Sequence, residues 1–133
     1  MKKAFSLFEA IIVISILAFV FAFILYNYTF SSKSLTQAKI EVALIRASLN
    51  EKITKNLLQN KVLTTIDNAQ INKENEKLFK YILNEAILSS QKGWIKLSNT
   101  SYLLNYDNKK VKFEYKNNHF ICLEKNNICK ELE

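Results

Sequence analysis

Val111-Lys112-Phe113-Glu114-Tyr115-Lys116-Asn117-Asn118-His119-Phe120-Ile121-Cys122-Leu123 alternates apolar and polar residues, pauses at two asparagines, and resumes with aromatic and branched ones. Alternation of this kind has the two-residue period of a strand lying half-buried on a core. Paired asparagines tolerate the positive φ that a two-residue hairpin turn requires. The register sends Val111, Phe113 and Tyr115 to the core face and Lys112, Glu114 and Lys116 outward. Upstream, Trp94 to Ser98 and Ser101 to Tyr106 read as two further strands, with Asp107-Asn108-Lys109-Lys110 linking the second to the third. Gly93, the sole glycine, punctuates the chain before the first. Four short antiparallel strands follow from this stretch.

An inner sheet face needs a cover, and the sequence supplies one. Leu35, Ala38, Val42, Ile45, Leu49, Ile53 and Leu57 recur at steps of three and four, the stripe of an amphipathic helix, while Lys39, Glu41, Arg46, Glu51, Lys52 and Lys55 fall on other faces. No Gly or Pro occurs between Met1 and Asn60, so one long helix is expected to run from the apolar N-terminal region into this stripe. Lys61 to Ile71 is polar, with Asp67-Asn68 as a turn. Between Lys73 and Ser90, Leu78, Phe79, Ile82, Leu83, Ala86 and Ile87 share one side, which predicts a second, shorter helix as a side cover. The expected fold class is α+β: a long N-terminal helix packed on a small antiparallel sheet.

The chain has 133 residues, and from Ala4 to Phe30 its only ionisable side chains are Glu9, Tyr26 and Tyr28. A helix of that span reaches roughly 40 Å, enough to cross about 30 Å of hydrocarbon. Roughly a hundred residues remain, the size of one small domain. Lys2 and Lys3 precede the apolar run and favour a cytoplasmic N-terminus. A cleaved secretory signal also begins with a basic stretch, but this apolar run is longer, carries an acid near its start, and offers only Thr29-Phe30-Ser31 as a small-x-small site. An ordinary signal anchor accounts for the lysines and the length and leaves Glu9 unexplained. A carboxylate within the hydrocarbon costs about 3 kcal/mol or more, which calls for a partner.

Cys122 and Cys129 are the only cysteines. An extracytoplasmic location permits them to pair, and closing so short a loop contributes about 2 to 3 kcal/mol. Metal binding competes, yet two cysteines with the lone His119 make an incomplete zinc set. No metal and no cofactor is expected. The formal charge of +7 accompanies a general richness in Lys, Asn and Ile. Lys109, Lys110, Lys112 and Lys116, interleaved with Tyr106, Phe113 and Tyr115, are candidate contacts to DNA backbone and bases. Against this stands a solvated strand face whose aromatics point inward. Nothing marks an enzyme: His119 has no companion, no serine or cysteine has an activating partner, and there is no phosphate-cradling glycine loop.

Lys2-Lys3-Ala4 followed by Phe5-Ser6-Leu7-Phe8-Glu9 and a long apolar helix resembles the class III signal of type IV pilins and type II secretion pseudopilins. The resemblance covers about the first thirty residues. It implies a leader, 1–4, cut by a prepilin peptidase between Ala4 and Phe5; N-methylation of Phe5; a transmembrane and polymerisation half, 5–30; and a periplasmic pilin-like domain, 31–133. It further implies storage in the bacterial inner membrane and assembly by a cytoplasmic ATPase and a platform protein, with Glu9 of one subunit neutralising the Phe5 amine of a neighbour. Ala4 stands where the family usually has glycine, Ala10 where leucine is common, and no proline loosens the anchor helix. Asp107 with Asn105 and Asn108 is all that answers to the calcium site of major pseudopilins. These departures point to a minor pseudopilin or minor pilin serving protein export or DNA uptake.

Overall fold

The computed structural model describes residues 7–29, 33–125 and 127–133. The chain divides into two compact units, Met1–Ser31 and Ser32–Glu133.

In the first unit, α1 (Leu7–Thr29) is a 23-residue helix. Its segment Leu7–Tyr26 has a mean hydropathy of 2.8 and no buried side chains, so it is long and apolar enough to cross a membrane. The hydroxyl of Ser15 donates to the Ile11 carbonyl at 2.8 Å, which satisfies it within the helix. Such a helix is compatible with a membrane anchor or with a signal sequence.

The second unit holds α2 (Leu35–Leu58), β1 (Lys77–Leu78), β2 (Ile87–Leu88), β3 (Trp94–Lys96), β4 (Ser101–Tyr106), β5 (Lys109–Lys116), β6 (His119–Cys122) and α3 (Ile128–Glu131). The α+β class is as the sequence predicts. Helix continuity is not, because the chain is extended at Lys33 and Ser34. Lys33 pairs in parallel with Tyr106, and Ser34 takes φ −76° and ψ 158° as the N-cap of α2. Ser34 and Gln37 form a reciprocal capping box: the serine oxygen accepts from Gln37 N–H, and the Gln37 side chain accepts from Ser34 N–H. That pattern, Ser-x-x-Gln, marks a helix start and overrides the lack of Gly or Pro.

The sheet order is β3-β4-β5-β6, antiparallel throughout. Trp94 opposes Leu104, which opposes Val111, and Tyr102 opposes Phe113, so the large residues share one face. The β4–β5 and β5–β6 hairpins each turn on two residues of positive φ, Asp107 (43°) with Asn108 (60°) and Asn117 (51°) with Asn118 (65°). These angles match the right-handed twist of the strands, and Asn and Asp tolerate them. Val111, Phe113 and Tyr115 lie in the core and Lys112 and Lys116 outside it. Facing them, α2 buries Ala38, Val42, Ile45 and Leu49, with Leu35 and Ile53 packed at the margin. Leu57, the expected end of the stripe, is 68% exposed.

Residues 73–90 correct the expectation of a shorter helix. They form the two-strand ribbon β1–β2, in which Lys77 opposes Leu88. The apolar spacing is helical, but polar side chains hold the backbone elsewhere. Ser89 Oγ accepts from Glu76 N–H at 2.9 Å and donates to the Lys73 carbonyl at 2.6 Å, and Asp67 accepts from Phe79 N–H. Asn72, Asn75 and Phe79 all have positive φ. Phe79 enters the centre of the core, 4.7 Å from the Tyr102 ring centroid and 5.4 Å from that of Trp94.

Candidate functional site

Of the N-terminal residues singled out by sequence, Ala4 and Phe5 lie outside the described residues. Glu9 sits in the first turn of α1 with an exposed side chain. Negative charge is favoured there by the helix dipole. Around it, Leu7, Phe8, Ile11, Ile12, Val13 and Ile14 are exposed, so the helix presents apolar surface on every side. A helix with a 20-residue apolar segment can be solvated by lipid or by other helices.

The lysines proposed for DNA contact occupy β5. Lys110, Lys112 and Lys116 are exposed and share the outer face with Glu114. Lys109 is engaged elsewhere: its ammonium lies 2.7 Å from Glu131 of α3, and that hydrogen bond holds it above the usual lysine range. The interleaved aromatics do not join them, because Tyr106, Phe113 and Tyr115 are buried on the inner face. Burial raises the Tyr115 hydroxyl, and it raises that of Tyr106 with the charges of Glu131 and Asp107 adding to the effect. What remains outside is a row of ammonium groups suited to phosphate, without rings on which bases stack.

Asp107 has a structural partner. Its Oδ2 accepts from Leu35 N–H at 3.1 Å, and its own N–H donates to the Lys33 carbonyl at 3.0 Å, so the β4–β5 turn caps α2. The Asn105 amide donates to the Gln91 carbonyl. Among the described residues no cluster of three His, Cys, Asp or Glu is placed to hold a metal ion. Cys122 and Cys129 form a disulfide with Cα atoms 5.9 Å apart, tying β6 to α3. His119 is exposed beside the β5–β6 turn. Trp94 is fully buried and its indole N–H donates to Glu41 at 2.7 Å, a carboxylate that also pairs with Lys33 at 2.6 Å.

Two charged residues that sequence reasoning did not single out lie at the centre of the second unit. Asp67, read as a turn residue, is fully buried and receives four donors: Lys96 Nζ at 2.6 Å, Tyr102 Oη at 2.8 Å, Phe79 N–H at 3.0 Å and Ala69 N–H at 3.1 Å. Burial, with the nearby Asp67 charge, drives the Tyr102 hydroxyl far above its ordinary range. This cluster joins β3, β4 and the loop before β1, and its groups are closed to solvent. It is a structural knot. A signal for it was present in Lys96, a lysine two residues after Trp94 and so on the same face of its strand.

No family model matches the chain, and no curated protein and no solved structure matches it either.

Proposed function

We propose that this chain is a pilin-like membrane subunit, a minor pseudopilin or minor pilin, stored in the bacterial inner membrane and assembled into a short periplasmic filament for protein export or DNA uptake. Its N-terminus is cytoplasmic and Ser32–Glu133 is periplasmic. The reading is carried by α1, a helix apolar on all sides whose one acid, Glu9, falls five residues after the small-to-phenylalanine junction Ala4-Phe5. A prepilin peptidase cuts that junction and methylates Phe5, and the filament grows by exchanging lipid around α1 for neighbouring α1 helices. Glu9 then meets the Phe5 amine of the next subunit in low dielectric, where a charge-assisted pair is strong. The remaining partners are the platform protein and, through it, the assembly ATPase. A single helix ahead of an α2-on-sheet domain with a C-terminal disulfide supports the reading as an architecture.

Mass spectrometry of the purified chain tests processing. A methylated phenylalanine start is expected, whereas an intact Met1 leaves an ordinary signal anchor, and a start beyond residue 29 a secretory protein. Glu9→Gln is expected to insert normally and to lose neighbour crosslinks within the filament. Unchanged crosslinking would remove the pairing from the mechanism. A DNA-binding role draws support only from the outward row of Lys110, Lys112 and Lys116. It requires retention of DNA that falls steeply with salt.

A further inference from the structure

The end of the second unit farthest along α2 carries an apolar tip with lysines beside it. Leu57, Leu58 and Val62 are 68%, 84% and 83% exposed. They are held in place rather than frayed. Asn60, at φ 53°, lets its N–H donate to the Leu57 carbonyl and Lys61 N–H donate to that of Asn56, the Schellman closure of a helix. The following residue is fixed too, because the Leu63 carbonyl accepts from Tyr115 Oη at 2.8 Å. That bond draws the β5–β6 turn alongside, so Asn118 borders the same shallow cleft as Leu57 and Val62.

From Lys52 to Ile66 the chain contains three lysines and no acid, with Lys55 paired to Glu51 just before that stretch. Lys61 stands between Leu58 and Val62, and Lys116 flanks the adjoining turn; both are exposed. Three aliphatic side chains present on the order of a few hundred Å², well short of the roughly 800 Å² per partner that a stable protein pair buries. A small apolar knob amid ammonium groups has the chemistry of an interfacial anchor, with aliphatic groups entering the acyl boundary and lysines meeting anionic headgroups.

We infer that this tip docks on an anionic lipid surface, with Leu57, Leu58 and Val62 inserted and Lys61 and Lys116 on the headgroups. The inference goes beyond filament assembly and needs neither processing at Phe5 nor pairing at Glu9. Its test follows the amide hydrogen exchange of residues 57–63 in the full chain under two arrangements. In one, the chain sits in phosphatidylcholine vesicles to which vesicles containing phosphatidylglycerol are added; in the other, it is reconstituted directly into bilayers containing phosphatidylglycerol. Protection of 57–63 is expected in at least one arrangement and is expected to vanish at high salt. The triple variant Leu57→Ser, Leu58→Ser, Val62→Ser should weaken lipid affinity at least about tenfold, and Lys61→Gln or Lys116→Gln about fivefold each. Trp94 fluorescence should stay unchanged, since all five positions lie on the surface. Absence of protection in both arrangements overturns the inference. So does protection that survives in phosphatidylcholine alone and grows with protein density, the behaviour of a contact between copies.

Discussion

Replacing Asp67 with alanine removes the acceptor on which four donors converge, and the consequence can be worked from the geometry. Lys96, its side chain only 5% exposed, would be left without its counter-ion, while Phe79 N–H, Ala69 N–H and the Tyr102 hydroxyl would lose their partner. Removing one member of a buried ion pair costs about 3 to 5 kcal/mol, and an orphaned buried donor about 1 to 3 kcal/mol. These costs overlap, so a loss of about 4 to 6 kcal/mol is expected, against a total stability of roughly 5 to 15 kcal/mol for a domain. Urea unfolding of the full chain in mild detergent, followed by the fluorescence of Trp94, measures it. With a slope of roughly 1.5 kcal/mol per M, a loss of 4 kcal/mol lowers the midpoint by about 3 M. Lys96→Met added to Asp67→Ala should recover about 2 kcal/mol, since no charge is then left buried. A single variant within about 1 kcal/mol of the parent, or a double variant no better than the single, would refute the view that this pair is held by mutual compensation.

Three further outcomes follow from the same core and its edges. Tyr102, Tyr106 and Tyr115 are all raised above the ordinary value of 10.0, so folding holds them protonated. Their contribution is complete below that value and is lost as pH climbs above it, because the unfolded chain ionises first; Tyr102→Phe should flatten the alkaline fall in the unfolding midpoint. Reducing the Cys122–Cys129 disulfide should cost about 2.5 kcal/mol and speed amide exchange in residues 127–133 before β5, as read by hydrogen exchange with and without reductant. Asn117 has a φ of 51°, so Asn117→Ala should unfold about 1 kcal/mol more easily than Asn117→Gly in a urea titration; equal stabilities would argue against the two-residue turn.

The sheet was legible because its residues obey one rule at a time. Alternation from Val111 to Tyr115 fixed which side chains face inward, and Asn117-Asn118 fixed where the chain reverses. The α2 stripe was legible for the same reason as far as Ile53. Residues 73–90 misled because two signals disagree there. Apolar residues fall at helical spacing, yet Ser89, Asp67 and the asparagines take the backbone's hydrogen bonds, and those bonds decide. The break at Lys33–Ser34 was written in Ser34 and Gln37 but hidden by the absence of Gly and Pro. Asp67 was opaque for a different reason: its partner is 29 residues away, and only tertiary packing brings them together. For the candidate site, the placement of Lys112 and Lys116 outside was readable, and so was the inward turn of Phe113 and Tyr115 that denies DNA a stacking platform; Lys109 and Lys110, read as part of the link after Tyr106, instead open β5.

The way the second unit begins has a mechanical consequence. A pull on the backbone arriving from residue 32 meets Lys33, whose carbonyl is held by Asp107 N–H and whose ammonium is clamped to Glu41. One residue past Ser34, Leu35 N–H is tied to the Asp107 carboxylate. The entry to the domain is thereby fastened both to α2 and to the β4–β5 hairpin in the middle of the sheet. A handle fastened to two elements at its base can transmit thrust or traction without peeling the helix from the strands it covers.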